Sequence, residues 1–276
     1  MWVSMKRSLA VALLVGWAGV SRAPAQDAFG LPLRGEAAET FLKTAEVVRK
    51  KGLGQGITLS DQLTLSDGTR TLKAVWKTID EFKRGITRLE GGGVFVDLAD
   101  SWKHEVASYE LDKLLGTGLV PPTVERTFDR QKGSLQMWVE GAMTEADRKQ
   151  KKLEPPDTEA WNRQMYSVRL LHQLTYNTDS RNIRNVLIDP AFHVYAIDFS
   201  RAFLSYPQLP SEKDLTRFSR PVLVALKALD RPTLDARLSP WLTGVQIETL
   251  LKRRDKIVAL AERLVRERGE AAVLYD

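Results

Sequence analysis

The chain has 276 residues, 43% of them hydrophobic and 28% charged, and it contains no cysteine. That length buries a sizeable core without disulfides, as one large or two small globular units, and the lack of thiols excludes cysteine nucleophiles and cysteine-rich zinc sites. Forty-one basic against 35 acidic residues leave a surplus of six, and the basic runs are interleaved with acids, so no nucleic-acid partner is expected.

Lys6 and Arg7 precede an apolar run over 9–20, and Ala23 and Ala25 stand at the small-residue offsets of a cleavage site. The pattern predicts a signal peptide over residues 1–25 and a secreted or periplasmic mature chain starting at Gln26. Twelve apolar residues fall short of the about 20 that a bilayer span needs, and no later stretch approaches that length, so no stable membrane insertion is expected. Lys6, Arg7 and Arg22 belong to that segment, and beyond it the basic surplus falls to three.

Residues 26–140 read as a β-rich lobe. "AEVV" leads into "GLGQG" (52–56), and "ITLSDQLTLSDG" ends at an Asp67-Gly68 turn before "TRTLKAVWKTI", a hairpin signature. Alternation along "KAVWK" puts Lys73, Val75 and Lys77 on one face and Ala74 and Trp76 on the other. The stretch 102–116 carries Val106, Leu111, Leu114 and Leu115 at helical spacing with Gly116 as the stop. "TVERTF" and "SLQMWV" then flank the polar turn "DRQKG". The lobe is a small mixed sheet with one helix.

Residues 141–276 read as helical. "GAMTEADRKQKKLEPP" is a charged connection, and Asp157 caps a helix in which Trp161, Met165, Val168, Leu171 and Leu174 recur every three or four residues. Near the end, Thr243 and Gln246 form a capping box ahead of a helix with Leu250, Ile257, Leu260 and Leu264 on one face.

Between these helical blocks lies "NTDSRNIRNVLIDPAFHVYAIDFSRAF" (177–203). "VLI" and "VYAI" are strand-like, and Asp189-Pro190 starts a turn between them. Pairing the strands brings Asn185 beside Asp198, about 4.5–5.5 Å apart as cross-strand neighbours, where one Mg²⁺ or Mn²⁺ could touch both with nucleotide phosphates completing its shell. Asp179, at the mouth of the loop, is then free to take a proton from a hydroxyl nucleophile. This order of base, amide ligand, hairpin and metal-binding aspartate is that of a kinase. A capping aspartate and a strand-ending aspartate would account for the same residues. A kinase-type site also needs a strand lysine on the phosphates, here Lys73 or Lys77, with Val75 covering a base and Glu105, Glu110 or Asp112 holding the ammonium.

"HEVASYELDKLLGTGLVPPTVER", "NTDSRN..N" and "AIDFSRAF" together resemble the atypical kinase superfamily. Within it they are similar to the HipA toxin kinases, the phosphatidylinositol 3- and 4-kinases and the secreted kinases of the four-jointed and Golgi casein-kinase type. They are most similar to uncharacterised exported bacterial kinase-like proteins. The resemblance spans roughly residues 40 to 265. It implies an α+β, bilobal kinase-like fold that binds ATP with Mg²⁺ or Mn²⁺ and transfers its γ-phosphate to a protein, lipid or sugar hydroxyl. It implies Lys77 on the phosphates, Glu105 paired to it, Asp179 as base and Asn185 and Asp198 on the metal, with Trp138, Val139 and Glu140 in the adenine-contacting hinge. The family places its asparagine five residues after the aspartate, whereas here Arg184 holds that position and asparagines stand at plus three (Asn182) and plus six (Asn185). Either amide could serve, and a pseudokinase binding module is the rival reading. Glycosidase-type hydrolysis by Asp179 and Asp198 would leave Lys77, Glu105 and Asn185 without a role. His104, His172 and His193 are scattered, with no HExxH or GxSxG, against metalloprotease and serine-hydrolase readings.

Overall fold

The computed structural model describes residues 30–54, 60–88 and 93–276. The expected signal segment over 1–25 and residues 55–56 of the glycine-rich run lie outside the described residues. Among the described residues, no helix is long and apolar enough to cross a membrane.

The first half builds helix α1 (Gly35–Thr44), strands β1 (Glu46–Gly52), β2 (Ser60–Ser66), β3 (Thr71–Lys77), β4 (Asp80–Arg88) and β5 (Val94–Ser101), helix α2 (Trp102–Leu115), and strands β6 (Thr123–Phe128) and β7 (Gln131–Met137). Five of the strands form an antiparallel sheet in the order β1-β2-β3-β7-β6, while β4 and β5 pair as a separate arm. Local chemistry sets the turns. Asp67 Oδ1 accepts from the Thr69 and Arg70 N–H groups at 2.9 and 2.7 Å, closing the β2–β3 connection. Asp129 and Arg130, at φ 50° and 62°, make the two-residue loop whose left-handed residues match the twist of β6 and β7.

The alternation read along β3 is the observed one. Leu72, Ala74 and Trp76 are buried with Phe41, Leu42, Leu63 and Leu135 in the core of the first lobe, leaving Lys73, Val75 and Lys77 half-buried on the opposite face. Each fully buried large apolar side chain there contributes about 1.5–3 kcal/mol. A Cβ on Gly133 would meet the Lys77 carbonyl oxygen and the Trp76 ring, so the absence of a side chain lets β7 lie close against β3. The first lobe carries two helices rather than the expected one. α1 places Ala38, Phe41 and Leu42, with Ala45 just beyond, against the sheet. α2 is capped by Ser101 and ended by Gly116 at φ 68°. It runs beneath the sheet while contributing Ala107, Leu111 and Leu115 to the larger core of the second lobe.

The second half contains strand β8 (Met143–Thr144), helices α3 (Glu145–Gln150) and α4 (Thr158–Thr175), strands β9 (Val186–Ile188) and β10 (Val194–Ala196), and helices α5 (Arg220–Ala228), α6 (Arg231–Leu238) and α7 (Gly244–Arg268). The stretch read as a charged connection thus holds β8, which pairs with β9, and α3, started by a Thr144–Asp147 capping box. The caps at Asp157 and at Thr243 with Gln246 stand where the sequence placed them. Leu250, Ile257, Leu260 and Leu264 of α7 are buried. From the same helix the fully buried Arg253 donates to the carbonyls of Leu174, Leu204 and Tyr206, fastening the segment after the β9–β10 hairpin to the end of α4.

Candidate active site

The half-buried face of β3, the strap after β7 and the loop between α4 and β9 enclose a cleft of about 1100 Å³. Val75, Met137, Leu187 and Ile197 supply apolar wall, and Lys77, Asp179, Arg181, Asp198 and Arg201 supply charge. An apolar slot with a few convergent polar groups at one end is the usual form of a small-molecule site.

Lys77, at the end of β3, is the centre of the charged end. Its Nζ lies 2.6 Å from Glu105 Oε1 and 2.7 Å from Asp198 Oδ1, so the expected Lys77–Glu105 ion pair is present and Asp198 shares the same ammonium. Glu105 is only 2% exposed, and its second oxygen accepts from the Phe199 N–H at 3.1 Å. α2 therefore holds both the lysine and the backbone just after Asp198. Burial opposes the charge on Lys77, yet the two facing carboxylates outweigh it and raise its pKa well above the usual lysine range. Burial likewise pushes the Asp198 carboxyl up, and the Lys77 charge and hydrogen bond overcome this to hold it below its ordinary value. For Glu105 burial is the largest influence and raises the pKa, with the Lys77 charge working against it. The other two acids considered for the lysine point elsewhere. Glu110 pairs with Lys113 and Arg237, and Asp112 accepts from Thr117 and the Val120 N–H to fix the loop after α2.

Asp198 itself has φ 63°, a left-handed conformation that costs a non-glycine residue roughly 1–2 kcal/mol. The Phe199–Glu105 bond and a backbone bond from Ser101 N–H to Ser200 O, 2.9 Å long, hold it there.

Across the cleft, Asp179 Oδ2 accepts from Asn182 Nδ2 at 3.1 Å and Asn185 Nδ2 at 2.8 Å, and its N–H donates to Asn177 Oδ1. The six-residue spacing from Asp179 to Asn185 contains a 3-10 turn over Ile183–Asn185. Asn182 caps that turn by accepting from the Arg184 N–H, whereas the side-chain amide oxygen of Asn185 has no hydrogen-bond partner among the described residues. The expected neighbourhood of Asn185 and Asp198 needs correction by one residue. β10 ends at Ala196, the backbone partner of Asn185 is Ile197 (N–H to O, 2.9 Å), and the Asn185 amide nitrogen turns to Asp179.

The strap also divides. Trp138 and Val139 line the cleft, but Glu140 does not. Its carboxylate pairs with Lys73 at 3.0 Å, and both its backbone groups bond to Gly30 at 2.8 Å. Glu140 is thus removed from the expected hinge set, and Lys73 is accounted for away from the charged end.

Sequence reasoning missed Arg201, whose guanidinium Nε donates to Asp100 Oδ2 at 2.8 Å, and the β4–β5 arm, whose Phe95 reaches the cleft. The Arg201 signal was an arginine three residues after Asp198, but its partner lies on another element. Among the described residues no group of three or more His, Cys, Asp or Glu side chains is placed to hold a metal by itself. The donors that remain are the Asp198 carboxylate and the Asn185 amide oxygen. Hard oxygens of this number suit Mg²⁺ or Mn²⁺, which take one or two protein ligands and complete their shell with water and phosphate.

No protein-family model and no curated protein matches the sequence. Solved structures do match the fold. The structure of hydra Fam20 with sugar aligns at a TM-score of 0.65 with 15% identity, covering 88% of this chain and 93% of that one. The Golgi casein kinase aligns at 0.61 with 15% identity, over 86% and 78%. The Helicobacter pylori proinflammatory kinase CtkA aligns at 0.50 with 11% identity, over 82% and 98%. The fold is α+β and kinase-like, with a β-rich lobe and a helical lobe.

Proposed function

We propose that the protein is an exported kinase-like phosphotransferase that moves the γ-phosphate of ATP to a hydroxyl acceptor. The observation that carries the reading is Lys77 held between Glu105 and Asp198 at 2.6 and 2.7 Å, with Asp179 across the same cleft. In this reading the base of the nucleotide lies between Val75, Met137 and Leu187, against the backbone of Trp138 and Val139. Lys77, oriented by Glu105, meets the phosphates. Asp198 and the Asn185 amide oxygen are the residues that would hold Mg²⁺ or Mn²⁺, which when bound neutralises charge on the phosphate oxygens. Asn182 is the weaker choice because its oxygen already caps the 3-10 turn.

Asp179 keeps one carboxylate oxygen without a hydrogen-bond partner among the described residues, while Asn182 and Asn185 fix the other. That free oxygen receives the acceptor's hydroxyl proton as the acceptor oxygen bonds to the γ-phosphorus. The bond from that phosphorus to the bridging oxygen breaks, and ADP leaves with the electron pair. The hydra Fam20 structure holds a sugar, which makes sugar hydroxyls the first acceptors to try, beside protein and lipid hydroxyls.

A nucleotide-binding pseudokinase is the second reading. It is favoured by the Asn185 amide nitrogen facing Asp179 at 2.8 Å and by the scarcity of ATP outside the cytoplasm. Labelled-phosphate transfer from ATP with Mn²⁺ to a panel of sugar, protein and lipid acceptors separates the two. Transfer that disappears in Asp179→Asn supports the kinase. Tight nucleotide binding without transfer to any acceptor supports the pseudokinase.

A further inference from the structure

Of the two cleft-lining cations that the roles above leave unused, Arg181 is exposed, whereas Arg201 is anchored by an ion pair to Asp100. Its Nε–H is taken by Asp100 Oδ2 at 2.8 Å, and neither terminal amino group has a protein acceptor among the described residues. Asp100 is 7% exposed, and among the described residues its other oxygen is buried without a partner and Arg201 is the one side chain that bonds to it. The anchor is rigid, because Asp100 sits at the end of β5 one residue before the Ser101 cap of α2. The neighbouring backbone is bonded from Ser101 N–H to Ser200 O, and Arg201 O accepts from Thr178. The guanidinium is thus anchored through Nε, Arg201 lines the cleft, and its four terminal N–H donors are not taken by the protein among the described residues.

Both functional carboxylates lie within its electrostatic reach. Burial opposes the Arg201 charge, the hydrogen bond and charge of Asp100 outweigh it and raise the pKa above its ordinary value, and the charges of Asp179 and Asp198 add to that rise. In the proposed reaction one group alone moves between these two aspartates, the terminal phosphoryl. A planar fork with two free amino groups matches phosphate oxygens in geometry as well as charge, which a single ammonium does not.

We propose that Arg201, anchored through Asp100, contacts the terminal phosphate of the bound nucleotide and makes the cleft discriminate nucleoside triphosphate from diphosphate. This inference rests on the kinase-like reading of the same cleft. The bland alternative is an arginine that only offsets the charge of the two aspartates, which would affect both nucleotides alike.

The test is calorimetric titration, with Mn²⁺, of the wild type, Arg201→Ala and Arg201→Lys with ADP and with a non-hydrolysable ATP analogue. It needs no turnover. The ratio of analogue to ADP affinity is expected to fall by about ten- to hundredfold in Arg201→Ala, the range of a charge-assisted hydrogen-bond pair, with ADP affinity changed little. Arg201→Lys keeps the charge and disturbs the fold least, and is expected to lose most of the preference because it lacks the fork and the Asp100 anchor. A wild-type ratio in either folded variant overturns the proposal, as does a wild type that binds both nucleotides equally. A folded wild type that binds neither nucleotide removes the kinase-like reading itself.

Discussion

Lys77 gives the sharpest energetic test of the site, because one buried ammonium serves two carboxylates. At 2.6 and 2.7 Å and an effective dielectric of about 20, each contact is worth about 6 kcal/mol in Coulomb terms. Desolvation of the ions, several kcal/mol each, offsets most of that. The network is therefore near balance when whole and costly when one member is removed. Lys77→Met keeps the apolar stem but strands Glu105, which is 2% exposed, beside Asp198 with no cation between them. The expected cost is about 3–5 kcal/mol. Glu105→Gln leaves Lys77 on Asp198 and keeps an oxygen for the Phe199 N–H, so about 1–2 kcal/mol is expected. In the double variant the stranded carboxylate is gone, and the loss should fall short of the sum by at least about 2 kcal/mol. Urea unfolding of the four proteins without metal or nucleotide measures this, provided the dependence on denaturant stays constant. Additivity within about 0.5 kcal/mol, or a Lys77→Met cost below about 1 kcal/mol, would refute the shared-ammonium argument.

Asp198→Ala is expected to abolish metal-dependent nucleotide binding, read as loss of the thermal shift with ATP and Mn²⁺. Asp179→Asn should keep that shift while transfer falls by about 10²–10⁴-fold, the usual effect of losing a general base; equal effects of the two on binding would contradict their separate roles. Burial holds both His104 and His172 neutral, with pKa values lowered to about 4. The unfolded chain then binds more protons between about pH 6.5 and 4, and stability present above pH 6.5 is lost on acidification by about 3 kcal/mol for each histidine. Asp112, raised to about 6 by burial, has the opposite sign, because its contribution is lost as pH rises through 6, so Asp112→Asn should steepen the acid-side loss seen in unfolding midpoints at pH 4.5 and 7. Gly133→Ala, whose methyl would press on the Lys77 carbonyl and the Trp76 ring, should cost about 1–3 kcal/mol as overpacking and weaken nucleotide binding; an unchanged melting temperature would show that β7 can shift away.

Much of the scaffold is legible in local chemistry. Period-two alternation along β3 separates Lys77 from Trp76, and helix signals at Gly116, Asp157 and Thr243 stand at element ends. α1 escapes because its stripe of Ala38, Phe41 and Leu42 is short and starts at Arg34, which makes no side-chain cap. The polar site is legible as residue types and spacing, but not as side-chain direction. The 3-10 turn over Ile183–Asn185, from which the Asn185 amide reaches Asp179, has no periodic signature in the sequence. Arg201 and Asp100 lie 101 positions apart, and no local pattern joins them. Glu140 reads as part of the hinge because the sequence says nothing of Gly30, which pairs with its backbone.

In the proposed function, the cleft between β3 and the β9–β10 hairpin binds a metal nucleotide in one orientation. Crystals grown with a non-hydrolysable ATP analogue and Mn²⁺, and measured for the anomalous signal of the metal, test this directly. Manganese is expected in contact with the Asp198 carboxylate, with phosphates on Lys77 and the base against Met137, Trp138 and Val139. Manganese touching neither Asp198 nor Asn185, or a nucleotide bound outside this cleft, would contradict it.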